Sequence, residues 1–290
     1  DPEQTRLEVT LSPSLAGVMI DALPYLVGYP YGCVEQTMSR FYPTVMVAGT
    51  LRKMGMDLEA IGRQRRQMHE GDLQNRFGRR NDSPVFDSQE MDRMVRAGLS
   101  RIYSFQQNDG GWGWWRNDQS SPYQTAYVLQ GLHAARLASV NVDAGIYERG
   151  LNYLQNTISA ELAKPKDQQQ IGHLQTQAYL AFILSLEHRL NTNEQKAWLG
   201  DLYAARGKLN NYGRALLALA MHNEARTDEA ANLLRNVLQF VDRDDDNQTA
   251  WVRTPAECWW FWWNNDIETN AWTLKALVAI DPGNELAPRL

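Results

Sequence analysis

From Leu15 onward the chain is one apolar, helix-length segment after another, each cut off by Gly, Pro, Asn or Asp. Almost no strand-like alternation falls between them. The pattern predicts helices near 15–27, 34–54, 57–69, 88–106, 122–139, 144–160, 171–190, 194–206, 211–223, 227–241 and 266–280. Three of these open on related words: Gln124-Thr125-Ala126-Tyr127-Val128-Leu129, Thr176-Gln177-Ala178-Tyr179-Leu180 and Thr269-Asn270-Ala271-Trp272-Thr273-Leu274. A fainter copy, Asn211-Tyr212-Gly213-Arg214-Ala215-Leu216, lies between the last two. The spacing implies a repeated helical hairpin of roughly 40–55 residues. Small residues at the start of each inner helix let helices crowd around an axis, so the hairpins either stack into an open solenoid or close into a ring. Gly71 to Phe86, with Gly78, Asn81-Asp82 and Pro84, is the least helical interval and reads as a long connection.

At 290 residues, with 43% hydrophobic and 22% charged content, the chain can bury a sizeable core. A net charge of -5 with the signs interspersed argues against a nucleic-acid partner, and Arg63 to Arg66 reads as a solvated helix face. No stretch is long and apolar enough to span a bilayer. Leu7, Val9 and Leu11 alternate like a lone strand without a hairpin partner. Residues 1–12 are therefore expected to end a preceding β domain or linker, with residues 13–290 forming the helical domain of a larger protein. Two cysteines, Cys33 and Cys258, make no disulfide framework. No cofactor or metal is expected.

Gln106-Gln107-Asn108-Asp109-Gly110-Gly111-Trp112 resembles the Gln-x-x-x-Gly-x-Trp turn of α/α toroids, among them terpenoid cyclases and thioester domains. Its glycines make a tight turn and its tryptophan covers the end of a helix pair. The turn favours closure, and the expected fold is all-α, an α/α toroid of about six helical hairpins.

The chemistry centres on Tyr31-Gly32-Cys33-Val34-Glu35-Gln36, preceded by Pro30 and followed by a long helical pattern. A cysteine and a glutamine three apart at a helix start lie on one face, so the thiol can reach the carboxamide. Loss of ammonia from that pair leaves an internal thioester, a stored acyl group. Gly32 lets the backbone turn sharply into the helix. Spacing alone also fits a buried cysteine acting as a small hydrophobe. The neighbouring residues add more: Gly-Cys-Val-Glu-Gln followed by Thr37-Met38-Ser39-Arg40-Phe41-Tyr42-Pro43-Thr44 closely resembles the thioester segment of the α2-macroglobulin and complement family. The Pro-Tyr-Gly-Cys variant looks like the bacterial branch.

That resemblance implies a thioester formed by Cys33 and Gln36 in a broad protease trap, a single-use acylating agent and not an enzyme. Cleavage of a bait segment elsewhere would expose the bond, and a protease lysine amine would attack it. The resemblance also implies a periplasmic, membrane-anchored parent whose other domains shield the thioester. Glu35 belongs to the motif and is expected to cap or anchor. Tyr29 and Tyr31 are placed to cover the bond, whereas Phe41 and Tyr42 are expected to pack. In complement-type members a histidine takes the acyl group first, and the loop from Asp109 to Gln124 is where it is expected. None of His69, His133, His173, His188 and His222 falls there, which favours direct attack by amines. His173, at a helix start, is the least improbable substitute.

Two rival readings remain open. Asp242-Arg243-Asp244-Asp245 fits the Asp-x-Asp-Asp acid of terpenoid cyclases, although a run from Asp242 to Asp246 after a helix end also reads as a solvated loop. A purely structural ring with a silent Cys-Gln pair is the other. Cys258-Trp259-Trp260-Phe261-Trp262-Trp263 reads as a packed loop or interface before a carbohydrate platform.

Overall fold

The computed structural model describes Gly17 and residues 32–57, 59–63, 86–254 and 265–290. The expected strand within 1–11, all but Gly17 of the helix near 15–27, Tyr29, Tyr31, His69, Cys258 and the tryptophan-rich segment 258–263 lie outside the described residues.

The described chain is mainly helical, as the periodicity predicts: α1 (Val34–Lys53), α2 (Ser88–Ser104), α3 (Pro122–Leu137), α4 (Ala144–Leu162), α5 (Leu174–Ser185), α6 (Asn193–Ala204), α7 (Asn211–Asn223), α8 (Thr227–Leu238) and α9 (Asp266–Ile280). Short polar side chains set most of the starts, because they accept the orphan N–H groups of the first turn. Asp87 accepts from Gln89 and Glu90, Asn210 from Gly213, and Asn265 from Ile267 and Glu268. Thr192 and Gln195 form a reciprocal capping box on α6. Pro122 takes the first position of α3, where its missing N–H leaves nothing unbonded. None of the helices is long and apolar enough to cross a membrane, among the described residues.

The chain divides into two compact units, one of residues 1–107, 112–119 and 130–147, the other of residues 108–111, 120–129 and 148–290. In the first, α1 lies against α2, with the Phe41 ring where a side chain at Gly98 would stand, and Met38 fills the space over Gly131. Trp112 is fully buried, and its indole N–H donates to Ile102 O at 2.8 Å. Gln106 pairs with Trp112 through an isolated antiparallel bridge and donates its amide to Ile146 O at 2.9 Å. The tryptophan thus closes the end of α2 as its place in the motif predicts, and the glutamine, to which the sequence assigns no role, bonds to the first turn of α4.

In the second unit, Gly110 turns at φ 92° with its Cα against the Arg149 carbonyl, where a Cβ would come within 2.5 Å of the oxygen. Here α5 and α7 are buried on nearly every side, α5 from Ala178 to Ser185 without a break. Helices apolar all round belong in an interior. By contrast α8 buries only Ala230, Leu233, Leu234 and Val237, one stripe of its surface. Helix α7 packs beside α5, α8 and α9. Phe182 of α5 meets Trp272 of α9 edge-on at 5.2 Å, with the Lys275 ammonium over both rings.

Two expectations need correction. Ala126, Ala178 and Ala215 are buried, but Ala271 is exposed: in α9 the buried stripe runs through Thr269, Thr273, Ala276 and Leu277, which puts a residue two places after Thr269 on the other side. The helix expected to reach 241 stops at Leu238, and an antiparallel hairpin follows, β1 (Val241–Asp244) paired with β2 (Thr249–Val252). Asp, Asn and Gln between the strands favour the turn, and Ala250 and Val252 alternate inward against Thr249 and Trp251 outward.

Candidate functional site

Where α2, α6, α7 and α9 begin on Asp, Thr or Asn, α1 begins on Cys33, a poor acceptor for backbone N–H groups. Cys33 has extended backbone angles, φ -77° and ψ 179°, and is 7% exposed. Gln36, at the third helical position, folds its side chain back so that Oε1 accepts the Cys33 N–H at 3.1 Å. The capping glutamine thus keeps its carboxamide on the Cys33 backbone at the mouth of the helix. Gly32 turns into this start at φ 82°, and any Cβ there would overlap Gln36 Oε1. The carboxamide occupies the space that a side chain would need.

Neighbouring elements fix both peptide groups flanking Cys33. Thr37 Oγ1 donates to Cys33 O at 2.8 Å. The Arg101 guanidinium, from the last turn of α2, donates through Nε to Thr37 Oγ1 at 3.2 Å and through Nη2 to Gly32 O at 2.5 Å. It lies over the Phe105 ring, 5.1 Å from its centroid. Val34 N–H donates to Trp114 O at 3.0 Å, tying the helix start to the 112–119 loop. An open cleft of about 620 Å³ adjoins the turn, lined by Gly32, Arg101, Phe105, Trp115, Arg116, Asn117 and Asp118.

The other expected residues fall into two groups. Phe41 is buried, and Tyr42 accepts a hydrogen bond from Gln130 Nε2 at 3.2 Å, so both pack as expected. Glu35 accepts from Ser39 Oγ at 2.5 Å on the helix face and makes no contact with the thiol or the carboxamide among the described residues. None of the described histidines lines the cleft. His133 faces Tyr147 OH at 3.4 Å, His173 stands at the start of α5, and His188 and His222 are exposed. Nor do the described residues hold a group of His, Cys, Asp and Glu able to bind a metal.

The Asp-x-Asp-Asp run sits at the hairpin. Asp244 accepts from the Asn247 side chain and backbone, which holds its carboxyl below the usual range. Asp245 pairs with Arg289, and Asp242 with Arg253. Carboxylates on a hairpin, paired with arginines or bonded to asparagine, are the reverse of the neutral acid in a dry pocket that alkene protonation requires. Arg101 and Thr37 are the residues that sequence reasoning misses. Thr37 lies four places after Cys33 on the same helical face, a signal available in the sequence; Arg101 becomes visible only through the fold.

The model of the A-macroglobulin TED domain matches residues 7–279. An alpha-2-macroglobulin of Thermotoga maritima is 31% identical over 198 residues, covering 64% of this chain and 11% of that protein. This chain is thus a small fraction of the relative's length. Two solved structures share the fold. Salmonella alpha-2-macroglobulin reacted with methylamine is 20% identical, with a TM-score of 0.57 over 92% of this chain and 15% of that one. Escherichia coli alpha-2-macroglobulin activated by porcine elastase is 19% identical, with a TM-score of 0.57 over 89% of this chain and 20% of that one. With the family model spanning nearly its whole length, this chain belongs to the A-macroglobulin TED domain family.

Proposed function

We propose that this chain is the acylating domain of an alpha-2-macroglobulin-like protease trap, with the acyl group stored between Cys33 and Gln36. The observation that carries the reading is the Gln36 carboxamide held on the N–H of Cys33 at the start of α1. In forming the bond, Sγ attacks Gln36 Cδ, the amide nitrogen departs as ammonia with the thiol proton, and a thioester remains. In using it, an uncharged lysine amine attacks the same carbon, the C–S bond breaks, and a proton passes from nitrogen to sulfur. The products are an amide cross-link and a free Cys33 thiol. Positive charge at the helix N-terminus favours the negative charge that develops on oxygen and sulfur in both steps. Thiolate leaves more readily than amine, so transfer to a lysine is effectively irreversible.

The Salmonella relative whose structure is described as reacted with methylamine supports an amine as the acceptor, and the elastase-activated Escherichia coli relative supports a protease as the trigger. On this reading the domain turns over nothing and acts once. Other domains of the parent shield the bond, and the parent works in the periplasm from a membrane anchor.

The test is intact mass on the native parent protein. The wild type should be lighter than its sequence by one ammonia, and methylamine should restore that mass at Gln36 and free one thiol. Cys33→Ala and Gln36→Ala should keep the helical fold, which rests on packing and not on one local bond. Both should lose covalent protease conjugates on a denaturing gel. Conjugates that persist undiminished in Cys33→Ala overturn the assignment.

A further inference from the structure

The peptide group joining Gly32 to Cys33 is bonded at both ends. Its N–H donates to Gln36 Oε1 at 3.1 Å, and its carbonyl oxygen accepts from the Arg101 guanidinium at 2.5 Å. Resting on the reading above, we propose that Arg101 is a positioning residue for acyl transfer, aligning and polarising the Gly32–Cys33 peptide so that its N–H activates the Gln36 acyl carbonyl.

The physical basis is amide resonance. A cation at the carbonyl oxygen favours the charge-separated form of the peptide, in which nitrogen is more positive and its N–H a stronger donor. That N–H points at the oxygen on which negative charge gathers when either Sγ or an amine adds to Gln36 Cδ. A donor already aimed at the developing oxyanion lowers the barrier without rearranging in the transition state. Orientation depends on the same contact. Gly32 at φ 82° holds the peptide plane in a conformation that few residues adopt, and nothing in its own side chain secures it. Arg101 secures it from outside.

The guanidinium is itself braced. Nε donates to Thr37 Oγ1 at 3.2 Å, that hydroxyl donates to Cys33 O at 2.8 Å, and the Phe105 ring lies beneath the cation. Both peptides flanking Cys33 are thus referred to one side chain on another helix. A planar fork with several donors suits this double attachment, whereas an ammonium on a flexible stem makes one contact at a time. An open cleft adjoins Arg101 and Gly32.

The experiment compares wild type, Arg101→Lys, Arg101→Met and Thr37→Val in the intact parent protein. Three quantities are read: the fraction lighter by one ammonia, the melting temperature, and the rate of methylamine uptake per intact thioester at fixed pH. Arg101→Met should form less thioester, and what forms should react roughly tenfold or more slowly. Arg101→Lys should recover part of that rate, and Thr37→Val should fall between Lys and wild type. A purely packing role for Arg101 lowers the melting temperature but leaves the rate per thioester unchanged, and that result overturns the inference. If Arg101→Met does not fold, the Lys and Val variants decide: wild-type rates in both overturn it. A wild type with neither the ammonia deficit nor methylamine uptake overturns the thioester reading itself, and the inference with it.

Discussion

Gly32 carries a double constraint: its φ of 82° disfavours any side chain, and the space a Cβ would take is filled by Gln36 Oε1. Gly32→Ala should therefore cost about 1–3 kcal/mol of stability through the strained backbone alone. It should also push the carboxamide off the Cys33 N–H. The expected outcome is a protein that melts lower and has the full sequence mass, with no ammonia lost, read by calorimetry and intact mass. Substitution at Gly55, also at positive φ but with open space around it, should show the backbone penalty and keep the ammonia deficit. Gly32, Cys33 and Gln36 were legible in the sequence because their geometry is local, set within one turn of helix. Arg101 was not, since it lies 69 residues from the carbonyl it holds and only the packing of α2 on α1 brings it there.

Helix starts are where sequence and structure agree best, because a cap needs only a few neighbouring residues, whereas the helix expected over 171–190 runs only from Leu174 to Ser185. Asp87, Thr192, Asn210 and Asn265 cap helices that begin at, or within a residue of, the expected starts. The hairpin after α8 was missed because its strands are four residues each, too short for alternation to stand out against a charged run. Ala271 misled for a related reason: a three-letter likeness does not fix which face of a helix points inward. At the far end of α7, Glu224 caps the helix where the dipole disfavours a carboxylate. Burial raises its pKa from the ordinary 4.5, against the opposing pull of His188 and Lys196. A raised folded value means that the folded chain holds this proton more tightly than the unfolded one. Its favourable contribution is complete below the unfolded value and is lost as pH climbs through the raised folded one. Glu224→Gln should raise the melting temperature at pH 7, and the gain should shrink as pH falls toward 4.5. A gain that is constant with pH would place the effect elsewhere.

For the parent molecule, the proposed function and the described cleft lining together give an expected choice of acceptor. Its lining is Gly32, Arg101, Phe105, Trp115, Arg116, Asn117 and Asp118, so among the described residues no imidazole stands there to take the proposed acyl group first. The activated parent should pass its acyl group to methylamine and protease lysines in strong preference to glycerol. The rate should rise with pH as amines lose their protons, without an inflection near neutrality. Competition between labelled glycerol and methylamine across pH measures this, and efficient glycerol transfer that disappears in His173→Ala would overturn it. The capping bond from Cys33 to Gln36 carries one more consequence under the proposed function. An amide formed with a lysine still offers the same oxygen to the Cys33 N–H. A carboxylate left by water offers a better one, negatively charged at the start of a helix. On the proposed function the discharged domain keeps this bond in either form, so the start of α1 alone would not tell a spent domain from a loaded one, whereas the freed Cys33 thiol would.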